Sequence, residues 1–463
     1  MKKSDSILLF LFVMIAPIQP QPFVITDVVI SDSTESLPDP EIDWPGNHVC
    51  FADGDGIWVG SIDKATGNFV PKNGKGVLVD STPSYRGMQA VANGPEWAMS
   101  RNGSIVIYPD SVDNTNICIG TAKLVNGGWV AQRLPNSSNR IPYFGSYDDT
   151  YEKDGISCAS YNPATMAKTG TKLRNSTDTT EIAVTPVMSG HRWIKGMYAV
   201  SLSQEKQSPY KVGIFNATTQ VYTEVASFID PVDQSWIVPL VEGGSTYALW
   251  CVEKKIDQDE IAIYIQTGNT WQKTDSIQIP TDRKEIFSPE PFWWNGKAYI
   301  FLVARARTGQ SASLYSQVWI TSLESQNRLF RMVSKDEAGS RGDPEVFYTN
   351  TEPVIYYTEI RRGVNIIHKC ATGLSSGTSA HPFNAVKLSN QNYFFSITNA
   401  NDGFLRITGL LAGEQVRIID LRGRCLIQRI VPSPACSIDI SELGAGAYNF
   451  LTPFNSQRLI IGR

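Results

Sequence analysis

Metal chemistry finds little support in this sequence. It has only four histidines (His48, His191, His368 and His381), and they form no ligand motif. The seven cysteines are Cys50, Cys118, Cys158, Cys251, Cys370, Cys425 and Cys436. Their number is odd, their spacing is wide and no Cys-x-x-Cys occurs, so neither a metal site nor a disulfide framework is indicated. Single buried thiols on strands are expected, with Cys425 and Cys436 the nearest candidates for a pair. Basic charge is not in excess either. The 41 Lys and Arg stand against 45 Asp and Glu, for a net charge of −4. That balance argues against nucleic acid as the main partner. Nucleophile elbow, phosphate loop and dinucleotide fingerprint are all missing, so no cofactor is expected. Long apolar runs are missing too. Ile7 to Ala16 follows Lys2 and Lys3 and is too short to span a bilayer. A charged start, a short apolar stretch and the following Pro17, Pro20 and Pro22 mark residues 1–21 as a secretory signal peptide. No Cys stands just behind the run, which argues against a lipid anchor. The mature chain is expected to be soluble, monomeric, and secreted or held at the outer cell surface.

What the sequence does contain is a recurring phrase: a small residue, Pro, Glu, then an aromatic. It reads Gly94-Pro95-Glu96-Trp97, Ser288-Pro289-Glu290-Pro291-Phe292 and Asp343-Pro344-Glu345-Val346-Phe347. Each copy is followed by two β-rich runs, which marks a repeat architecture. The first full unit, Gly94 to Leu134, holds four short strands separated by turns such as Asn126-Gly127. Further units open near residues 143, 190, 235, 288 and 343, a spacing suited to four-stranded blades. Ahead of them, Asp53-Gly54-Asp55-Gly56 predicts a hairpin between His48–Ala52 and Ile57–Ile62. The expectation is an all-β chain: a six- or seven-bladed β-propeller followed by a small immunoglobulin-like β-sandwich. The N-terminal strands should complete the ring beside the last unit, because an open ring leaves sheet edges unpaired. The predicted boundaries are a signal peptide at 1–21, a Pro-rich linker at 22–45, the propeller at 46–375, a Ser/Gly/Thr-rich linker at 376–398 and the C-terminal unit at 399–463.

The C-terminal unit resembles the type IX secretion sorting domain of Bacteroidota. Val416-Arg417-Ile418-Ile419-Asp420-Leu421-Arg422-Gly423, then Ile438 to Tyr448 with Leu443-Gly444, then Arg458-Leu459-Ile460-Ile461 carry the likeness. The resemblance implies export through the outer-membrane type IX machinery. The repeats resemble TolB-type propeller repeats, through Gly94-Pro95-Glu96-Trp97 followed by Arg101-Asn102-Gly103 and the apolar Ile105-Val106-Ile107. They are also faintly similar to the propellers of arabinanase-like glycosidases, where carboxylates near inner strands do acid–base work.

In a propeller the first strand of each blade lines the central channel. Glu96, Glu290 and Glu345, with Asp343, are therefore the candidates for converging carboxylates, and a glycosidase needs two of them in unlike states. Arg192 and Arg341 could hold an anionic group. Trp193 and Trp236, with Trp97, Trp293 and Trp294, could offer stacking faces. Recurrence also suits a structural role, with Pro ending strand pairing, Glu tying neighbouring blades and the aromatic packing between them. Three functions stay open: a non-catalytic module binding a glycan or a surface protein, a glycoside hydrolase of arabinanase- or sialidase-like type, and a scaffold in an outer-membrane assembly.

Overall fold

The computed structural model describes residues 23–31, 39–81, 94–374 and 396–461. Within the last two spans it leaves out 101–102, 114–115, 149–154, 163, 166–167, 176–180, 185–188, 195–196, 202–207, 239–245, 255–256, 296, 307–315, 326–327, 362–363, 401–403, 409–414, 421–423, 431–434 and 452–455. The expected signal peptide and most of the linker at 376–398 lie outside the described residues.

Seven antiparallel sheets follow one another along the chain after a short first strand, β1 (Asp27–Val29). Blade 1 is β2 (Glu41–Asp43), β3 (His48–Asp53), β4 (Gly56–Ile62) and β5 (Phe69–Val70), with β6 (Val77–Asp80) also paired to β4. Blade 2 is β7 (Glu96–Ser100), β8 (Gly103–Asp113), β9 (Asn116–Val125) and β10 (Gly128–Arg133). Blade 3 begins at β11 (Arg140–Gly145); the short β12 (Tyr147–Asp148) then runs parallel beside β7. The rest of blade 3 is β13 (Gly155–Tyr161), β14 (Lys168–Asn175) and β15 (Ile182–Val184). Blade 4 is β16 (Ser189–Ile194), β17 (Met197–Ser201), β18 (Tyr210–Asn216) and β19 (Val221–Phe228). Blade 5 is β20 (Val232–Val238), β21 (Tyr247–Val252), β22 (Glu260–Thr267) and β23 (Thr270–Ile277). Blade 6 is β24 (Glu285–Trp294), β25 (Lys297–Arg305), β26 (Gln317–Ser322) and β27 (Phe330–Met332). Blade 7 is β28 (Ser340–Tyr348), β29 (Pro353–Arg361) and β30 (Val364–Ala371), completed by β1 on its outer edge.

The first strands of the seven blades pack in sequence, and β2 touches both β7 and β28, so they form a closed inner ring. Second strands such as β21 and β25 are apolar and buried, whereas outer strands such as β10 and β19 face solvent. Polar clasps join the blades. Trp97 Nε1 donates to the Glu41 carbonyl at 3.0 Å, Ser235 Oγ to the Ala199 carbonyl at 2.8 Å and Tyr356 OH to the Gly67 carbonyl at 2.6 Å. The hairpin at residues 53–56 forms as the sequence predicts. Asp53 and Gly56 pair across a two-residue turn, and Asp53 Oδ1 accepts from the main chain of Asp55 and Gly56.

The segment expected to be a linker at 22–45 is instead structural. It supplies β1, which closes blade 7, and β2, which opens blade 1. Pro40 stands at the entrance of β2, where a missing N–H costs no ladder bond. The ring is fastened by a buried polar cluster around Asp27. Asp27 Oδ1 meets His368 Nδ1 at 2.7 Å, and Oδ2 accepts from Tyr357 OH and from the Lys335 main chain, each at 2.8 Å. On its other side His368 Nε2 lies 3.0 Å from Glu359 Oε2.

The C-terminal unit forms two sheets. One is β31 (Ser396–Ala400), β32 (Phe404–Thr408) and β35 (Ala435–Asp439). The other orders β34 (Cys425–Ile430), β33 (Gln415–Asp420), β36 (Gly446–Leu451) and β37 (Ser456–Ile461). Leu405, Ile407, Val416, Ile418, Ile438, Phe450 and Leu459 make its core, in the period-two pattern of a sandwich. Cys50, Cys118, Cys158, Cys251 and Cys370 are free and buried. The side chains of Cys425 and Cys436 lie outside the described residues.

The cluster at Asp27 gives a prediction. Burial opposes charge at His368, but hydrogen bonds to Asp27 and Glu359 prevail and raise its pKa; the same bonding lowers that of Asp27 despite burial. The His368 contribution to stability is therefore full below about pH 6.5, the ordinary histidine value, and fades as pH rises through the raised one. The Asp27 contribution is present above the ordinary carboxylate value and fades as pH falls through the lowered one. Asp27→Asn should destabilise the propeller by about 3–5 kcal/mol, measured by denaturant unfolding at neutral pH. An unchanged midpoint would show that the cluster does not fasten the ring.

Candidate functional site

Five inner strands carry a β-bulge close to their start. The register slips between Pro142 and Phe144, Gly190 and Trp193, Val232 and Ser235, Phe287 and Glu290, and Gly342 and Glu345. Bulges re-aim side chains and interrupt pairing. In blades 6 and 7 the bulge is the Pro-Glu phrase itself, with Ser288 and Asp343 each at φ 45°. Asp39, at φ 48°, begins a copy not recognised in the sequence, Asp39-Pro40-Glu41. Left-handed geometry is uncommon for residues other than glycine, and three of the four copies adopt it just before proline.

These bulges and strand entrances line one cavity of about 410 Å³ at the ring's centre. Glu290, Glu345, Glu41 and Glu96 enter it from blades 6, 7, 1 and 2, which are consecutive around the ring. Asp39, Asp343 and Asp233 add three further carboxyls, and Lys168, Tyr143, Phe144 and Phe287 also line it. The four glutamates are buried, at 7% exposure for Glu41, 5% for Glu96 and 9% each for Glu290 and Glu345.

Arg192, from the bulge of blade 4, crosses to the first two blades. Its Nη2 lies 3.0 Å from Glu96 Oε2 and 3.4 Å from Glu41 Oε2, and its Nη1 donates to the Trp97 carbonyl at 3.4 Å. The guanidinium sits between the rings of Phe144 and Trp236, at 5.9 and 6.0 Å. The carboxyls of Glu290 and Glu345 have no hydrogen-bond or ion-pair partner among the described residues. Burial is the largest influence on all seven cavity carboxyls, Asp233 included. It lifts Asp39, Glu41 and Glu345 well above the ordinary carboxylate range, raises Asp343, and pushes Glu96 up to about 8 and Glu290 up to about 7. Arg192 opposes the rise at the four glutamates. At neutral pH the pocket thus holds carboxylic acids beside carboxylates, able to donate as well as accept hydrogen bonds.

Of the residues singled out from sequence, Glu96, Glu290, Asp343 and Glu345 come together here, and Arg192 meets them. Arg341 does not line this cavity. It is buried within blade 7, where Nη1 donates to the Ser316 carbonyl and Nε to Tyr357 OH. The reason is the bulge. Arg341 pairs with Glu359 and Glu345 with Tyr356, so one extra residue places the two on opposite faces. Trp236, Trp97, Trp293 and Trp294 are core residues rather than open stacking faces. The side chain of Trp193 lies outside the described residues. Glu41 and Asp39 were missed, although they obey the same phrase as the other three copies. Among the described residues no group of three or more His, Cys, Asp or Glu is arranged to hold a metal ion.

No protein-family model matches the sequence, and no curated protein does. Among solved structures, a sialidase from Trypanosoma rangeli aligns over 60% of this chain and about half (54%) of its own length, at 10% identity and a TM-score of 0.40. The same sialidase bound to the inhibitor DANA aligns over 94% of this chain and 88% of its own, at 10% identity and a TM-score of 0.41. A provisionally assigned 6-phosphogluconolactonase from Bacteroides uniformis aligns over 70% of this chain and 95% of its own, at 9% identity and a TM-score of 0.42. The architecture is that of an all-β propeller.

Two outcomes follow from the buried charges. Arg192→Met should destabilise the fold by on the order of 3–5 kcal/mol, since it strands two buried carboxyls without their cation. Denaturant unfolding checks this. The raised carboxyls also set a pH slope. An unfolded glutamate ionises near pH 4.3 whereas the folded ones hold their protons to higher pH, so stability should fall between about pH 5 and pH 8. Glu290→Gln should flatten that slope, as read by melting temperature across pH.

Proposed function

We propose that the chain is an exported recognition module that binds a glycan or a protein ligand in the axial pocket and performs no catalysis. The observation that carries this reading is the arrival of four glutamates, each from the same Pro-Glu phrase, in one cavity. Glycoside hydrolysis asks for one protonated and one ionised carboxyl in distinct roles. The four glutamates occupy equivalent places in their blades, and Glu41 and Glu96 are already engaged with Arg192. A pocket lined by seven carboxyls and one lysine, with Arg192 reaching only Glu41 and Glu96, also disfavours anionic ligands.

Glu290 supports a second reading. It is buried, unpartnered and held near neutral pKa, as a general acid should be, while the Arg192-bound pair sits across the pocket. Hydrolysis of a neutral glycan is the reaction that arrangement would serve. The address is likewise a proposal: signal peptide, then a sorting domain at 399–463 recognised by the type IX machinery, delivering a TolB-like propeller to the outer surface.

A screen of the purified chain against immobilised glycans and soluble polysaccharides tests both readings. Binding without released product, weakened by Glu290→Gln and Glu345→Gln, is the expected result. Released product that vanishes in Glu290→Gln would establish the hydrolase instead. For the address, residues 399–463 fused to a reporter should carry it across the outer membrane of a type IX-competent host, and periplasmic retention would refute the assignment.

A further inference from the structure

We propose that the axial pocket is a socket for a basic side chain of a polypeptide partner, with Glu290 and Glu345 as its counter-charges. This deepens the reading of that pocket as the ligand site and rests on it. The first argument is the imbalance of partners. Glu290 and Glu345 are each 9% exposed and line the cavity, yet among the described residues neither carboxyl meets a donor. Their oxygens face the cavity, where a ligand that supplies a donor would be favoured, and Arg192 is committed elsewhere. Arg192 is held by Glu41, Glu96 and the Trp97 carbonyl.

The second argument concerns shape. A sugar ring docks by lying flat on an exposed aromatic face. Of the four aromatic side chains along the cavity wall, Tyr198 is buried with its hydroxyl donating to the Gly190 carbonyl at 2.9 Å, and the other three each already face a cation. Lys168 Nζ lies 5.2 Å from the Tyr143 ring centre, the Arg192 guanidinium 5.9 Å from Phe144 and the Arg305 guanidinium 3.9 Å from Phe287. Arg305 is fixed there by Glu285 at 2.7 Å. A cavity of about 410 Å³ with its platforms covered suits a slim apolar stem ending in a charge. Lysine and arginine have that form, and arginine can meet two carboxylates at once.

The third argument is proton linkage. A cation seated between Glu290 and Glu345 favours their ionised forms, so binding should expel a proton that Glu290 otherwise retains near neutrality. Affinity should then rise with pH across the interval in which Glu290 titrates.

Calorimetric titration of the full chain tests this with the peptide Gly-Gly-Arg-Gly and its citrulline analogue, which keeps the shape and removes the charge. The arginine peptide should bind roughly tenfold or more tightly than the citrulline one, the effect of one charged hydrogen-bonded contact. Its affinity should increase from about pH 6 to about pH 8, with proton release seen in buffers of different ionisation heat. The double variant Glu290→Gln/Glu345→Gln should lose the preference while keeping its melting transition; if that variant fails to fold, the citrulline comparison and the proton count still decide. Equal binding of the two peptides would overturn the proposal. Neutral oligosaccharides binding where neither peptide does would overturn it while leaving the pocket a ligand site. No binding by peptides or oligosaccharides at any pH would overturn the underlying reading as well.

Discussion

The charge balance of the axis rests on the guanidinium of Arg192, which leaves the fourth blade and meets carboxylates of the first and second. Two glutamates that burial would force to keep their protons are thereby drawn toward ionisation. Phe144 and Trp236 flank the planar group, so its orientation is set by packing as well as by charge. A lysine would bring the charge without the plane or the second hydrogen-bonding nitrogen. Because Arg192 turns to Glu41 and Glu96, Glu290 and Glu345 are left without a hydrogen-bond or ion-pair partner among the described residues. The asymmetry of the pocket is thus a consequence of where one cation stands in a ring of near-equivalent blades.

Much of this architecture was legible because it repeats. Pro-Glu-aromatic phrases, turn residues and alternating β-rich runs located the blades from Gly94 onward and a β unit at the C-terminus, although β31 begins inside the stretch expected to be a linker. The misreadings have two physical sources. Asp39-Pro40-Glu41 sits among Pro38 and Pro45 in a polar stretch, where proline at a strand entrance and proline in a linker look alike. Arg341 and Glu345 stand four positions apart, which in a regular strand means one face. The bulge at Asp343-Pro344 inserts one residue and reverses that parity. The tryptophans were read as platforms because aromatics next to carboxylates suggest sugar sites; burial assigns them to the seams between blades. Convergence of Glu96, Glu290 and Glu345 needed only the assumption of a ring, whereas the part played by Arg192 depended on a reach across the channel that no local pattern encodes.

The pocket and the seams are made from the same residues. Trp97 follows Glu96 directly, clasps the Glu41 main chain through its indole and accepts from Arg192 through its carbonyl. Tyr348, the last residue of β28, accepts a bond from the Trp293 main chain of the preceding blade. Spacing among the axial carboxyls is therefore set by how tightly neighbouring blades hold one another, and a change at a seam is felt at the centre.

The fastening at Asp27 has a consequence for how this protein comes into being. Asp27 and His368 are 341 residues apart along the chain, yet they are adjacent in the finished ring. Blades 2 to 6 can each form from contiguous chain as it emerges from synthesis, but the seventh lacks its outer strand until an early segment meets a late one. Contacts between such distant segments form slowly because a long loop must be closed first. Until that meeting, β30 presents an unpaired edge on which a strand from another molecule could pair. The aromatic, histidine and carboxylate partners around Asp27 give that edge side-chain bonds that a strand lacking such an aspartate would leave unmade.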